Sequence, residues 1–186
     1  MPPFLQPFSL LKSFIYKRGD NMADINKTLE EIYRRNYLTV YRLALAKCGG
    51  RVENAKDIFS EVFFQLLKYL NKGNTFNDPS HEKAWLIRVT INQSKVILRT
   101  YKPSSDEGLD GSYIMAESGS EVYEAVMRLP EKYRVVIHLF YYEEYSIKEI
   151  ASILRVKENT IKSQLSRGRK LLKSDLGGSM YEFRKV

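Results

Sequence analysis

Seven lysines and arginines stand between Arg155 and Lys173, against one acid, Glu158. Such side chains carry fixed positive charge and donate hydrogen bonds. That is the chemistry of phosphate and base-edge recognition rather than of bond making. Val156, Ile161, Leu165 and Leu172 give the same segment an apolar stripe at helical spacing. Just upstream, Ser146 and Glu149 have the spacing of a capping box, and Ile147, Ile150, Ala151 and Leu154 form a shorter stripe. Residues 146–173 therefore read as two helices joined by a tight turn, the second one basic. A helix-turn-helix needs this arrangement, with the inner face packed and the outer face free to enter the major groove. A solvated helical hairpin is the alternative.

A second segment, Thr75 to Lys102, mixes Phe76, Trp85 and Tyr101 with Lys83, Arg88, Lys95, Arg99 and Lys102. Aromatic rings among cations, beside amides such as Asn77 and Asn92, suit unstacked bases and a phosphate backbone. Trp85 could equally be core, and the two readings are compatible because a buried ring can form a pocket wall. A third surface is the polar side of a helix over 53–70. Asp57, Glu61, Phe64 and Lys68 fall within a sector of roughly 60° at 100° per residue. An aromatic ring amid acids suggests a docking face for a basic protein, anchored by Phe64. An ordinary charged face with one exposed ring explains it as well.

No catalytic residues emerge. There is no Gly-rich phosphate loop and no nucleophile–base pairing, and the acid pairs sit at helical surface spacing, so an enzyme is not expected. His81 and His138 lack ligand spacing, so no metal site and no cofactor are expected. Cys48 is alone, which excludes a disulfide framework and points to a reducing compartment. No apolar run has the length of a membrane span, so no membrane insertion is expected. The formal net charge of +8 and pI of about 9.4 favour a polyanionic partner.

The elements that must position these residues are helical throughout. One helix is expected over 25–47, ending at Gly49-Gly50, with Ile25, Leu29, Ile32, Val40 and Leu43 facing inward. A second over 53–70 buries Ala55, Ile58, Phe59, Val62, Phe63, Leu66, Leu67 and Leu70. Turn formers fill 71–80, and a third helix over 81–99 carries Trp85, Leu86, Val89, Val96 and Ile97. Residues 135–142, VVIHLFYY, could pass for a strand by composition, but their place between Pro130 and the capped helix favours a buried helix. The expected fold is all-α, two small helical domains over 22–101 and 121–176. A flexible linker over 102–120 joins them, and a tail follows over 177–186. Between Ser104 and Met127 there are six acids and no base. Residues 1–21 fit poorly with the rest. Translation starting at Met22 would make them a non-native extension, and a disordered N-terminal arm is the competing reading.

Taken in order, these segments resemble the small, extracytoplasmic-function (ECF) sigma factors of bacterial RNA polymerase, in the sigma-70 family. AKDIFSEVFFQLLKYL (55–70) resembles region 2.2, and FNDPSHEKAWLIRVTINQSKVILR (76–99) regions 2.3 and 2.4. LPEKYRVVIHLFYYEEYSIKEIASIL (129–154) resembles region 4.1 and the start of the helix-turn-helix. RVKENTIKSQLSRGRKLL (155–172) resembles region 4.2. The resemblance implies a cytoplasmic promoter-specificity subunit in which Asp57, Glu61 and Phe64 bind core polymerase. Phe76, Asn77 and Asp78, within the loop running to Ser80, would capture a base flipped from the minus-10 element. Trp85 and Arg88 would support strand separation, and Asn92 and Lys95 would contact the single-stranded non-template strand. Lys162, Ser163, Ser166 and Arg167 would reach minus-35 base edges in duplex promoter DNA, with Thr160, Arg169 and Lys170 on phosphates. It also implies an anti-sigma factor as partner. A free-standing helix-turn-helix regulator is the alternative; it leaves 53–101 unused. Two departures stand out. Arg155 occupies the turn position where the family usually has Gly, and a left-handed Arg there would cost about 1 kcal/mol. Gly168 replaces the usual Ala, which should loosen the recognition helix by about 1 kcal/mol.

Overall fold

The computed structural model describes residues 21–100 and 121–177. Most of the expected extension, the linker and all but Gly177 of the tail lie outside those residues. The described chain forms seven helices and no strand: α1 (Asn21–Cys48), α2 (Val52–Asn71), α3 (Pro79–Thr100), α4 (Glu121–Arg128), α5 (Glu131–Tyr141), α6 (Ile147–Leu154) and α7 (Glu158–Asp175). The all-α expectation holds, including the helical state of 135–141.

Local signals explain the boundaries. α1 stops where Gly49 and Gly50 take φ of +70° and +82°, the left-handed geometry that ends helices cheaply only at glycine. α3 begins two residues earlier than expected. Asp78 Oδ1 accepts from the His81 amide at 2.8 Å, and Pro79 supplies the first helical residue. Before α6 both halves of the capping box form: Glu149 N donates to Ser146 Oγ at 3.3 Å, and Ser146 N to Glu149 Oε2 at 2.8 Å.

α1, α2 and α3 pack around Leu29, Ile32, Ile58, Val62, Phe63 and Leu66, with every residue of the expected α2 stripe buried. Glu82, buried in the first turn of α3, ties this helix to α1. It accepts from Arg35 at 2.8 Å and from Asn36 at 2.6 Å. A second cluster is built on Val136, Ile137, Leu139, Ile150, Ile161 and Leu165 from α5, α6 and α7. Two expected core positions fail. Val96 is 59% exposed and Val156 40%, because each lies where its helix or turn leaves the packed face.

The two halves are not separate bodies joined only through the chain. Leu43 of α1 and Ile87 and Ile91 of α3 are buried in the cluster of the second half. Periodicity could mark these residues as apolar and inward-facing, but not say which distant helices they would meet.

Candidate nucleic-acid interface

α7 is held by its inner face and presents its outer one. Ile161, Leu165, Gly168 and Leu172 are buried, while Thr160, Lys162, Ser163, Ser166, Arg167, Arg169 and Lys170 are all exposed. Ser163 Oγ donates to Asn159 O at 2.8 Å, so that hydroxyl bonds its own helix in the free protein. The turn before α7 depends on Arg155, which adopts φ 55° and ψ 47°. Its neighbour Val156 donates to Ala151 O at 3.0 Å, closing the end of α6. The left-handed strain anticipated at this residue is therefore present. Gly168, for which sequence offered only a cost, has a packing reason. A Cβ there would sit 3.2 Å from Ile137 Cγ1, so glycine lets α7 approach α5 closely. Lost helix propensity is exchanged for that approach.

The loop before α3 closes over an aromatic group. Tyr69 stacks on Phe76 at 5.0 Å between centroids and lies 4.8 Å from Trp85; Phe76 and Trp85 are 5.6 Å apart. His81 meets Phe76 edge-on at 5.7 Å, and its Nδ1 accepts from the Asn77 amide at 3.5 Å. Trp85 is thus half-buried and packed within this aromatic group. Asn77 and Asp78 are exposed at the loop tip, although one Asp78 oxygen is committed to capping α3. Sequence reading missed Tyr69 and His81. The only signal was an aromatic on either side of a run of turn formers, and a loop can join such residues in many ways.

Along α3, Arg88, Asn92 and Lys95 are exposed and spaced to share one face. Arg88 Nε donates to Ala84 O at 3.3 Å. This face opens on a cleft of about 350 Å³, whose far wall includes Lys132, Val135, Arg155 and Gln164 of the second half. The acidic face of α2 lies elsewhere. Phe64 is 37% exposed, with Lys68 Nζ 4.1 Å from its ring centre, and Gln65 donates to Glu61 at 2.6 Å. Asp57 is exposed.

The junction between the halves holds the most perturbed groups. The Glu143 side chain is 5% exposed; Lys83 Nζ lies 2.8 Å from Oε2, Thr39 Oγ1 donates to Oε2 at 2.9 Å, and His138 Nε2 lies 3.5 Å from Oε1. Burial pushes this carboxyl up, but His138 and Lys83 outweigh it and hold the pKa down at about 2. Arg134 is buried and donates to Met127 O at 2.7 Å, Leu129 O at 2.6 Å and Ala46 O. Burial lowers its pKa, against the pull of Glu131. Burial also pushes the Cys48 thiol up to about 12, which makes it a poor nucleophile. Among the described residues no group of histidine, cysteine and carboxylates could hold a metal ion, and no helix is long and apolar enough to cross a membrane.

Residues 120–172 match the family described as Sigma-70, region 4. The chain is 30% identical over 182 residues to the ECF RNA polymerase sigma factor SigW of Bacillus subtilis, covering 86% of this chain and 92% of that one. It is 27% identical over 158 residues to SigM of the same organism, covering 79% and 94%. Among solved structures it resembles the sigma factor RpoE of Bartonella quintana, crystallised with the anti-sigma factor NepR. The TM-score is 0.62 at 18% identity, over 82% of this chain and 99% of that one, a likeness of fold.

Proposed function

The chain belongs to the ECF sigma factors of RNA polymerase, and from that premise we propose which of its surfaces does what. α7 reads the minus-35 element in duplex DNA. Lys162, Ser163, Ser166 and Arg167 address base edges, and Thr160, Arg169 and Lys170 grip phosphates and set register. The observation that carries this reading is a basic helix whose seven chosen side chains are all exposed while its opposite face is locked in a core.

The loop at Phe76, Asn77 and Asp78 receives an unstacked base of the minus-10 element, with the Tyr69–Phe76–Trp85 group as its apolar wall. Arg88, Asn92 and Lys95 then follow the non-template strand. Opening a duplex costs about 1–2 kcal/mol per base step, which ring contacts and backbone charges on this surface must offset. Asp57, Glu61 and Phe64 dock on a basic face of core polymerase. An anti-sigma factor is the expected regulatory partner, and the cytoplasm the expected location.

The experiment is to mix the purified chain with bacterial core polymerase and a random promoter library, and to sequence the run-off transcripts. Two shared upstream elements at fixed spacing are the expected result. Duplex binding without polymerase-dependent transcription would support a free-standing regulator instead. Asp57→Lys with Glu61→Lys should weaken core association while leaving the fold intact; unchanged association would remove α2 as the docking face.

A further inference from the structure

We propose that the cleft of about 350 Å³ beside α3 is a binding site for a small polyphosphate anion, of nucleotide size or smaller. Four unneutralised cations line it: Arg88 and Lys95 from α3, Lys132 from α5, and Arg155 from the turn before α7. The function proposed above uses the first two and leaves Lys132 and Arg155 without a task. Among the described residues no carboxylate pairs with any of the four. The one acid in the lining, Glu131, is taken by Lys47. Arg88 Nε gives one donor to Ala84 O, and Lys132 Nζ lies 5.0 Å from the Tyr133 ring centre. Neither contact neutralises a charge. A sphere of the cleft's volume is about 9 Å across, close to the screening length of about 8 Å at physiological salt. All four charges therefore act on one occupant.

Arg155 supplies a second, independent observation. Its φ of 55° and ψ of 47° are a left-handed conformation that costs a residue with a side chain about 1 kcal/mol. Glycine would make the same turn without that cost. Strain kept at one residue points to a use for its side chain, and this side chain lies exposed on the cleft. A guanidinium takes phosphate oxygens two at a time, and a lysine ammonium adds a compact charge. Asn92 and Gln164 bring amide donors to the same lining, and Val156, 40% exposed, gives it an apolar flank. Small-ligand sites span about 300–1,000 Å³, so this one takes a compact anion with its charge concentrated, as in a diphosphate or triphosphate. Such an occupant would withdraw Arg88 and Lys95 from single-stranded DNA. That consequence rests on the strand-binding role proposed for α3, whereas the site itself does not.

The test uses the full chain without polymerase, titrated in a calorimeter with inorganic triphosphate, with magnesium-free ATP and with citrate. Saturable one-to-one binding of the phosphates, weakening as salt rises, is the expected result. Tighter binding of ATP identifies a nucleotide as the source of the phosphates, and equal binding an inorganic polyphosphate. Arg155→Gly should lower affinity about tenfold or more, the loss of one charge-assisted contact. The same substitution relieves the left-handed turn and should raise Tm, so that loss would not reflect unfolding. Lys132→Ala should act in the same direction, and it decides the matter alone if Arg155→Gly loses its helical circular dichroism. Lys173→Ala removes an exposed cation of α7 outside the cleft and should leave affinity unchanged. Absence of binding overturns the proposal. So does an equal loss in Lys173→Ala and Arg155→Gly, or citrate bound as tightly as triphosphate. The phosphates should also displace a fluorescein-labelled single-stranded oligonucleotide, read by anisotropy. Binding that needs Arg155 but displaces no strand would establish the site and remove Arg88 and Lys95 from the proposed strand-binding face.

Discussion

α3 and α7 carry comparable nucleic-acid chemistry and meet the rest of the protein in opposite ways. α7 buries Ile161, Leu165 and Leu172 and turns every cation outward, so its cationic face is formed and exposed. α3 uses Leu86, Ile87 and Ile91 to join two cores and turns Arg88, Asn92 and Lys95 toward the second half. A helix that serves one core can offer its other face freely. One wedged between two cores has its face rationed by whatever packs beside it. The pattern of cations says what a helix can bind, and the packing decides when.

The largest test of this contrast is Arg134→Ala. Removing a buried guanidinium that holds carbonyls of α1 and α4 leaves those acceptors without a partner; it should cost about 1–3 kcal/mol by denaturant unfolding while leaving α7's surface chemistry alone. A loss under 1 kcal/mol would mean the junction contributes little. Acid gives a second handle. The Glu143 pKa is depressed from 4.5 to about 2, so its ionised form stabilises the fold above its unfolded pKa near 4.5. That stability, about 3 kcal/mol at most at 1.36 kcal/mol per pH unit, is lost as pH falls through 4.5 toward 2. Glu143→Gln should flatten the pH dependence of unfolding across that window.

Arg167→Ala touches α7 alone. It should cost about 1–3 kcal/mol of discrimination between promoter duplexes, measured by competition binding, with core-polymerase association unchanged. Arg155→Gly should relieve the left-handed turn and stabilise the second half by about 1 kcal/mol in thermal unfolding. Gly168→Ala is the finest comparison. Helix propensity offers about 1 kcal/mol, and the 3.2 Å approach to Ile137 takes much of it back, so a net change below 1 kcal/mol in Tm-derived stability is expected. A gain of the full propensity would show that α5 and α7 have slack between them.

Much of this was legible before any coordinates. The capping box at Ser146 and Glu149, the stripe of α2, the glycine stop after α1 and the basic face of α7 all follow from local geometry, where residues three or four apart share a face. The left-handed strain at Arg155 was implied by the family resemblance, since the family usually has glycine at that turn position. Tyr69 and His81 were missed as members of the aromatic group because the seven-residue loop between α2 and α3 decides which rings meet. Val96 and Val156 were placed inside because periodicity cannot say where a stripe stops being covered.

Sequence alone thus determined the helices, the cations, the family resemblance and the order of parts, since each depends on contacts within one turn or on residue types at fixed spacing. The tertiary structure decided that Arg134 bonds Ala46, that Glu143 collects Thr39 and Lys83, and that Gly168 exists for Ile137. These pairings join residues from about 30 to 100 positions apart. No local propensity encodes them. They arise because buried charges and carbonyls must find partners wherever the packed helices bring them within reach.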